Sequence, residues 1–286
     1  MAYEYGYSLE SPKNLCLWEA QFGDFYNPAQ LMIDQYLMCS EAKWLRQSGL
    51  VLLLPHGFDG AGPEHSTCHI ERFLQNVNSN AYDTLDMEAY KHLTGQNINF
   101  QVAQCSTPAN YFHILRRQQH RTFRKPLVMA APKIVLKHPL AVSEGWHEFA
   151  EGTSFKPVIE NTYGEGANGI TILCSGKIFY DLHALLTSKD FTLPSDRNVQ
   201  ILRVEELAPF PAQLLESEFL AASSPASKVC WIQEEPANQG AFQFAKLHID
   251  RILEGLDFDQ QEMDFIGRPS MHSFCSGAAV DNKAQG

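Results

Sequence analysis

The 286-residue chain lacks several signatures that would announce a common chemistry. Its seven cysteines are an odd number, scattered singly, with no CxxC pair. That argues against a disulfide scaffold and for reduced thiols in an intracellular compartment. No apolar run approaches the ~18 residues of a membrane helix. Basic residues are the minority, 22 Lys and Arg against 33 Asp and Glu, for a net charge of −11. That balance argues against a broad nucleic-acid or membrane surface. There is no dinucleotide fingerprint to support a nucleotide-binding module. Cys174-Ser-Gly-Lys177 lacks the longer P-loop spacing and reads as a tight strand-to-helix turn. His65 and His69 are spaced like zinc ligands, but Ser66 stands where a zincin has glutamate, so no metal site is expected. The opening MAYEYGYSLESP has no leader composition. It reads as the inside of a folded domain, so a piece of a longer chain is expected.

What is present is enough apolar material, 44% of residues, for two domains of ordinary size. The stretch LVLLLPHGFDGAGPEHSTCHIERFL (50–74) organises the rest. Leu50–Leu54 is an apolar run of strand length, ended by Pro55. The glycine-rich HGFDGAG reads as a loop. Gly62 and Pro63 suit the start of a helix running on through Ile70, Phe73 and Leu74, with His65, His69 and Arg72 along another face. In an open parallel sheet such a loop lies at the carboxyl ends of the strands, where ligands bind. Glu19, Gln21 and Asp24 follow another short strand (15–18) and are candidates for the same rim.

Further on, a helix is expected from about Ala29 to Cys39, with Asn27 as its cap, and a surface insertion over 76–99. Strands are expected over 100–105 and 127–131, with Ser106 capping the helix between them. Arg116, Arg117, Arg121, Arg124 and Lys125 form a basic cluster, read as a solvated face or an intersubunit contact. After a connection over 132–168 the alternation resumes: strands at 170–176, 198–207, 228–236 and 264–269, with helices between. The expected fold is therefore α/β, two doubly wound and mostly parallel sheets with helices on both faces. The expected domains are residues 1–131 and 169–286, with a loose tail from Ser270.

WEAQFGDF (18–25), EAKWLRQSGLVLLLPHGFDGAGPEHS (41–66), STPANYFHILRRQ (106–118), CSGKIFYDL (174–182), RVEELAPFP (203–211) and WIQEEPANQGA (231–241) occur in a fixed order. Together they resemble the thiamine-diphosphate-dependent, decarboxylating component of 2-oxoglutarate dehydrogenase and the similar 2-oxoadipate enzyme. The resemblance implies a transketolase-like pyrimidine-binding domain followed by the family's C-terminal domain. It also implies a homodimer with each active site between two subunits. It implies a 2-oxo acid substrate, whose loss of carbon dioxide the cofactor drives as an electron sink, and acyl transfer to the lipoyl arm of a partner acyltransferase. Residue by residue, Gln21 matches an active-site glutamine, and His65 the histidine that faces the 2-oxo acid. His56 lies nearby, and Phe22 and Phe25 are cofactor-pocket aromatics. Histidine suits proton transfer near neutral pH.

The chain departs from the family in carrying no GDG motif, by which an upstream domain binds the diphosphate through Mg²⁺. The glutamate that activates the aminopyrimidine is also missing, and Glu4 does not take its role. The family's last helix is missing after Val280. Thiamine diphosphate is therefore expected to meet this chain by its pyrimidine side only. The isolated chain is expected to be an inactive piece of the enzyme, in the mitochondrial matrix or a bacterial cytoplasm. The reading from another class is a non-catalytic module that pairs with a full-length subunit.

Overall fold

The computed structural model describes residues 1–59, 62–78, 97–220, 223, 227–256 and 258–272. Most of the expected insertion and of the tail lies outside the described residues. Two five-stranded sheets form the framework. The first contains β1 (Leu17–Glu19), β2 (Val51–His56), β3 (Gln101–Ala103) and β4 (Leu127–Pro132). The second contains β5 (Val158–Tyr163), β6 (Asn168–Cys174) and β7 (Arg197–Val204). The chain then returns to the first sheet with β8 (Glu206–Ala208), and closes the second with β9 (Lys228–Pro236) and β10 (Asp264–Arg268). Strand order is β1-β2-β4-β3-β8 and β10-β9-β6-β7-β5. Each sheet is parallel except for one antiparallel edge strand, β8 in the first and β5 in the second.

The apolar run at 50–54 is continuous because β2 is buried on both faces. Leu52 and Leu54 face the core that holds Ile70, Phe73 and Phe100, whereas Val51 and Leu53 face Ile114, Leu127 and Met129. The larger core also takes in Leu173, Leu202 and the fully buried Trp231 from the second sheet. The two sheets thus share one hydrophobic interior. The principal helices are α1 (Ala2–Ser8), α2 (Ile70–Gln75), α3 (Pro108–His120), α4 (Ile178–Leu186) and α5 (Phe242–Gly255).

Several local expectations are corrected. Pro55 does not end β2, which runs on to His56. Val51 N–H donates to Cys16 and the Leu53 carbonyl accepts from Ala20, so odd residues of β2 turn their polar groups toward β1. β1 stops opposite Leu53, and the missing N–H of Pro55 points where no strand needs it. The segment Gly23–Leu37 is not one helix. It is a 3-10 turn (Gly23–Ala29), an α-helical turn (Gln30–Met32) and a π turn (Ile33–Leu37), and Asn27 caps none of them. The cap of α3 is Thr107, whose hydroxyl accepts the Asn110 N–H at 3.2 Å; Ser106 is taken by the Glu205 carboxylate instead. The stretch 198–207 is two strands in two different sheets, broken at the buried Glu205. The weakly periodic stretch 132–168 carries β5.

Candidate functional site

The helix expected to run from Pro63 to Leu74 is broken, and the break shapes the site. Gly57 (φ 153°) and Gly62 (φ 112°) take conformations that glycine adopts freely. The Gly57 N–H donates to the Ser66 carbonyl at 2.8 Å, closing the loop after β2. Pro63–His65 is a single 3-10 turn. His69 then adopts the left-handed region, φ 53°, before α2 begins at Ile70. Two carboxylates hold it there: Asp24 Oδ1 lies 2.6 Å from Nε2, and Glu71 Oε1 3.4 Å from Nδ1. His65 and His69 therefore face different surroundings, and no shared ligand set forms between them.

The loop after β1 is pressed onto the end of β2. A Cβ on Gly23 would meet the Pro55 carbonyl oxygen at 2.2 Å and Cys68 Cβ at 2.6 Å, so only glycine fits. This close approach carries Gln21, Phe22 and Phe25 to the carboxyl rim. Phe22 packs edge-on against the His65 ring, with centroids 3.9 Å apart. Phe25 lies 5.5 Å from Phe22 and 6.4 Å from His65, and is largely exposed. Gln21 is exposed beside Phe22 and makes no hydrogen bond among the described residues. The His65 side chain is 26% exposed, and its Nε2 is 3.3 Å from Glu64 Oε1. Its Nδ1 is buried and has no hydrogen-bond partner among the described residues. A buried ring nitrogen without a partner is costly unless a ligand supplies one. Lys133, just past β4, donates from Nζ to the His65 carbonyl and sits 5.8 Å from the Phe22 ring centroid. Glu19 lies on the exposed edge of β1.

His56 lies behind this surface. It is fully buried, its Nδ1 accepts the Cys68 N–H at 3.2 Å, and its Nε2 is 2.9 Å from Glu235 Oε1. The backbone donor leaves the ring proton on Nε2, aimed at the carboxylate. Next to it the Phe58 N–H donates to Glu234, which pairs with Lys177 at 3.1 Å. Burial pushes the Glu234 carboxyl above the ordinary range, with Lys177 opposing and Glu235 adding to the rise. On the other flank Glu71 accepts the Gly240 N–H at 2.9 Å. Burial alone would raise its pKa, but His69 and backbone donors hold it below the usual carboxylate range. Residues of the C-terminal half thus brace the loop after β2 at its start and at its end.

Gln21, Phe22, Phe25 and His65 share this rim, whereas His56 stands behind it. Lys133, Glu234, Glu235 and Lys177 were not anticipated as parts of the site. Their only local signal is charge beside a strand end; their partners are far away in sequence. The cysteine beside His56 is no nucleophile, because complete burial raises the Cys68 thiol. The basic cluster is structural: Arg117 binds Glu206 and stacks on Phe155, Arg116 reaches the Thr153 carbonyl, and Lys125 pairs with Glu41. Neither the ≈330 Å³ cavity at the ends of β3 and β4, nor the ≈310 Å³ groove between α2 and α5, includes His65.

Comparison with known proteins agrees with this architecture. Residues 1–139 match the family described as transketolase, pyrimidine binding domain, and residues 143–286 match that described as 2-oxoglutarate dehydrogenase C-terminal. The chain is 45% identical, over its whole length, to a probable 2-oxoadipate dehydrogenase complex component E1 homolog of Dictyostelium discoideum, covering 30% of that protein. It is 48% identical over 88% of its length to the 2-oxoadipate dehydrogenase complex component E1 of Rattus norvegicus, covering 26%. It is 41% identical over its whole length to the 2-oxoglutarate dehydrogenase E1 component of Brucella ovis, covering 27%. The chain thus spans less than a third of the length of these relatives.

Proposed function

From a chain that belongs to the 2-oxoglutarate dehydrogenase family, as the match over residues 143–286 shows, we infer the substrate-side half of an active site for oxidative decarboxylation of a 2-oxo acid. The observation that carries this reading is the partnerless Nδ1 of His65 beside the Phe22 and Phe25 rings at the carboxyl rim. These residues fit a heteroaromatic cofactor: two aromatic faces for the pyrimidine of thiamine diphosphate, and a ring nitrogen needing a partner. When bound, the cofactor supplies the electron sink for loss of carbon dioxide. This chain's own groups do the rest. His65 holds or moves a proton at Nδ1, facing the acid. The Gln21 amide can donate to the 2-oxo oxygen or accept from a hydroxyl. Phe22 and Phe25 offer apolar faces beside the reacting groups. His56 acts from behind, fixing the loop through Glu235.

The diphosphate and its Mg²⁺ would be held by the family's upstream domain, the acyl acceptor is the lipoyl arm of a separate acyltransferase partner, and the functional unit is a homodimer, in a mitochondrial matrix or a bacterial cytoplasm. One substrate the family resemblance implies is 2-oxoglutarate, serving the tricarboxylic acid cycle, and the 41% identical relative is named for it. The alternative, 2-oxoadipate, is favoured by the names of the 45% and 48% identical relatives. The two acids differ by one methylene, worth about 1–3 kcal/mol in a pocket.

The test uses complementation. Alone, with thiamine diphosphate and Mg²⁺, the chain is expected to show no ferricyanide-linked turnover of 2-oxoglutarate. Extended upstream by the family segment that carries the activating glutamate, and mixed with a full-length family subunit whose own GPEH histidine is replaced by alanine, it is expected to restore decarboxylation, and the His65→Ala chain extended in the same way is not. Restoration by the His65→Ala chain, or robust turnover by the chain alone, would overturn the reading.

A further inference from the structure

We propose that Lys133 is the cation that holds the carboxylate of the acid against His65; the inference rests on the reading of the rim given above. The paired ends of β2 and β4 are His56 and Pro132, and the Lys133 N–H continues the ladder to the His56 carbonyl at 3.3 Å. From there the side chain crosses to the neighbouring loop. Its ammonium donates to the carbonyl of His65 and lies over the Phe22 ring, so it touches two of the residues that form the rim.

The environment of this charge is unlike that of other lysines. Among the described residues, four lysines are not exposed: Lys125, Lys133, Lys177 and Lys246. Lys125 pairs with Glu41, Lys177 with Glu234, and Lys246 with Asp250 and Glu262. Lys133 has no carboxylate within 4.0 Å among the described residues, although the chain carries eleven more acidic than basic side chains. A partly desolvated ammonium without a counter-ion is costly. It has three N–H donors, and a carbonyl oxygen plus an aromatic face leave capacity unused. An anion bound beside His65 would complete it. An acid held there by one carboxylate would present its adjacent carbonyl to the His65 ring. Lys133 would then set both affinity for acidic 2-oxo acids and their orientation.

The test follows the His65 ring resonances of the whole chain by NMR, titrated with 2-oxoglutarate, with glutarate, and with inorganic phosphate. Unfolding midpoints confirm that each variant is folded. Lys133→Gln is expected to weaken 2-oxoglutarate binding by about tenfold or more, and Lys133→Arg to stay within about threefold of the unaltered chain. Equal affinity in Lys133→Gln and the unaltered chain would overturn the proposal while leaving the 2-oxo acid reading intact. Equal, Lys133-dependent binding of glutarate and 2-oxoglutarate would keep the anchor and count against the 2-oxo chemistry. Tighter binding of phosphate than of either acid would overturn the assignment to a carboxylate. So would a His65 signal that no anion moves.

Discussion

Replacing His56 by leucine is expected to destabilise the chain by about 3–5 kcal/mol, because it strands the buried Glu235 carboxylate. Glu235 is almost wholly buried and lies 2.9 Å from His56 Nε2. Without the imidazole it would have to remain charged in an apolar interior or take up a proton. The Cys68 N–H would lose its acceptor in the same step. Glu235→Leu leaves the buried His56 Nε2–H donor unsatisfied instead, at a cost of about 1–3 kcal/mol. The double variant His56→Leu/Glu235→Leu removes both polar groups at once. It is expected to be more stable than His56→Leu alone, giving a coupling energy well above the ~0.5 kcal/mol scatter of independent sites. Urea unfolding of all four proteins provides the measurement. Because His56 closes β2 and Glu235 lies in β9, the cycle tests whether the two sheets stand or fall together. Single variants within 1 kcal/mol of the unaltered chain, with no coupling, would contradict this account.

A second large effect is expected at His248, and it depends on pH. This side chain of α5 is buried, stacked on Phe210 at 4.5 Å and against Phe244 at 4.7 Å. Burial first, and then Arg251, push its pKa down to about 3. In the unfolded chain the imidazole protonates near 6.5. Between those values the unfolded state binds the extra proton. The contribution of His248 is therefore full above about pH 6.5 and is lost as pH falls toward 3. At pH 4.5 about two pK units of this linkage have been lost, or roughly 2–3 kcal/mol. His248→Leu keeps an apolar side chain of similar size. It is expected to be less sensitive to acid than the unaltered chain by that amount. Carboxylates held low, such as Glu71, give both proteins a common acid dependence, so the difference between the two curves is the informative quantity. Parallel curves from pH 7 to 4.5 would contradict the assignment.

How far the sequence announced all this can be judged element by element. Leu50–Leu54 reads as a buried strand because both faces of β2 meet hydrocarbon, and residue type alone carries that fact. Pro55 is misleading, because whether its absent N–H matters depends on where β1 stops, which is a matter of pairing. The helix start at Pro63 is legible, but its interruption is not. His69 takes a left-handed conformation only because Asp24, 45 residues earlier, and Glu71 flank its ring. Ser106 is as good a cap as Thr107 by composition; Glu205, 99 residues away, decides between them. The same glutamate splits one apparent strand into β7 and β8. In each case local propensity is overridden by a polar contact distant in sequence.

The candidate site follows the same division. Glycines, a proline and a histidine in GPEH mark a loop at a strand end, and the family resemblance singles out His65 and Gln21 within it. That Phe22 lies on His65 follows from the fit of Gly23 beneath Pro55, which no periodicity shows. His56 is attractive as sequence because it sits in the same loop, yet its ring turns inward to Glu235.

The most direct test of the central claim is to record the histidine ring resonances of the chain while 2-oxoglutarate is added. The account predicts that His65 moves in a saturable way while His56, His69 and His248 stay in place, and that Gln21→Leu weakens the effect several-fold. A His65 signal indifferent to the acid, or a response confined to the other histidines, would contradict it.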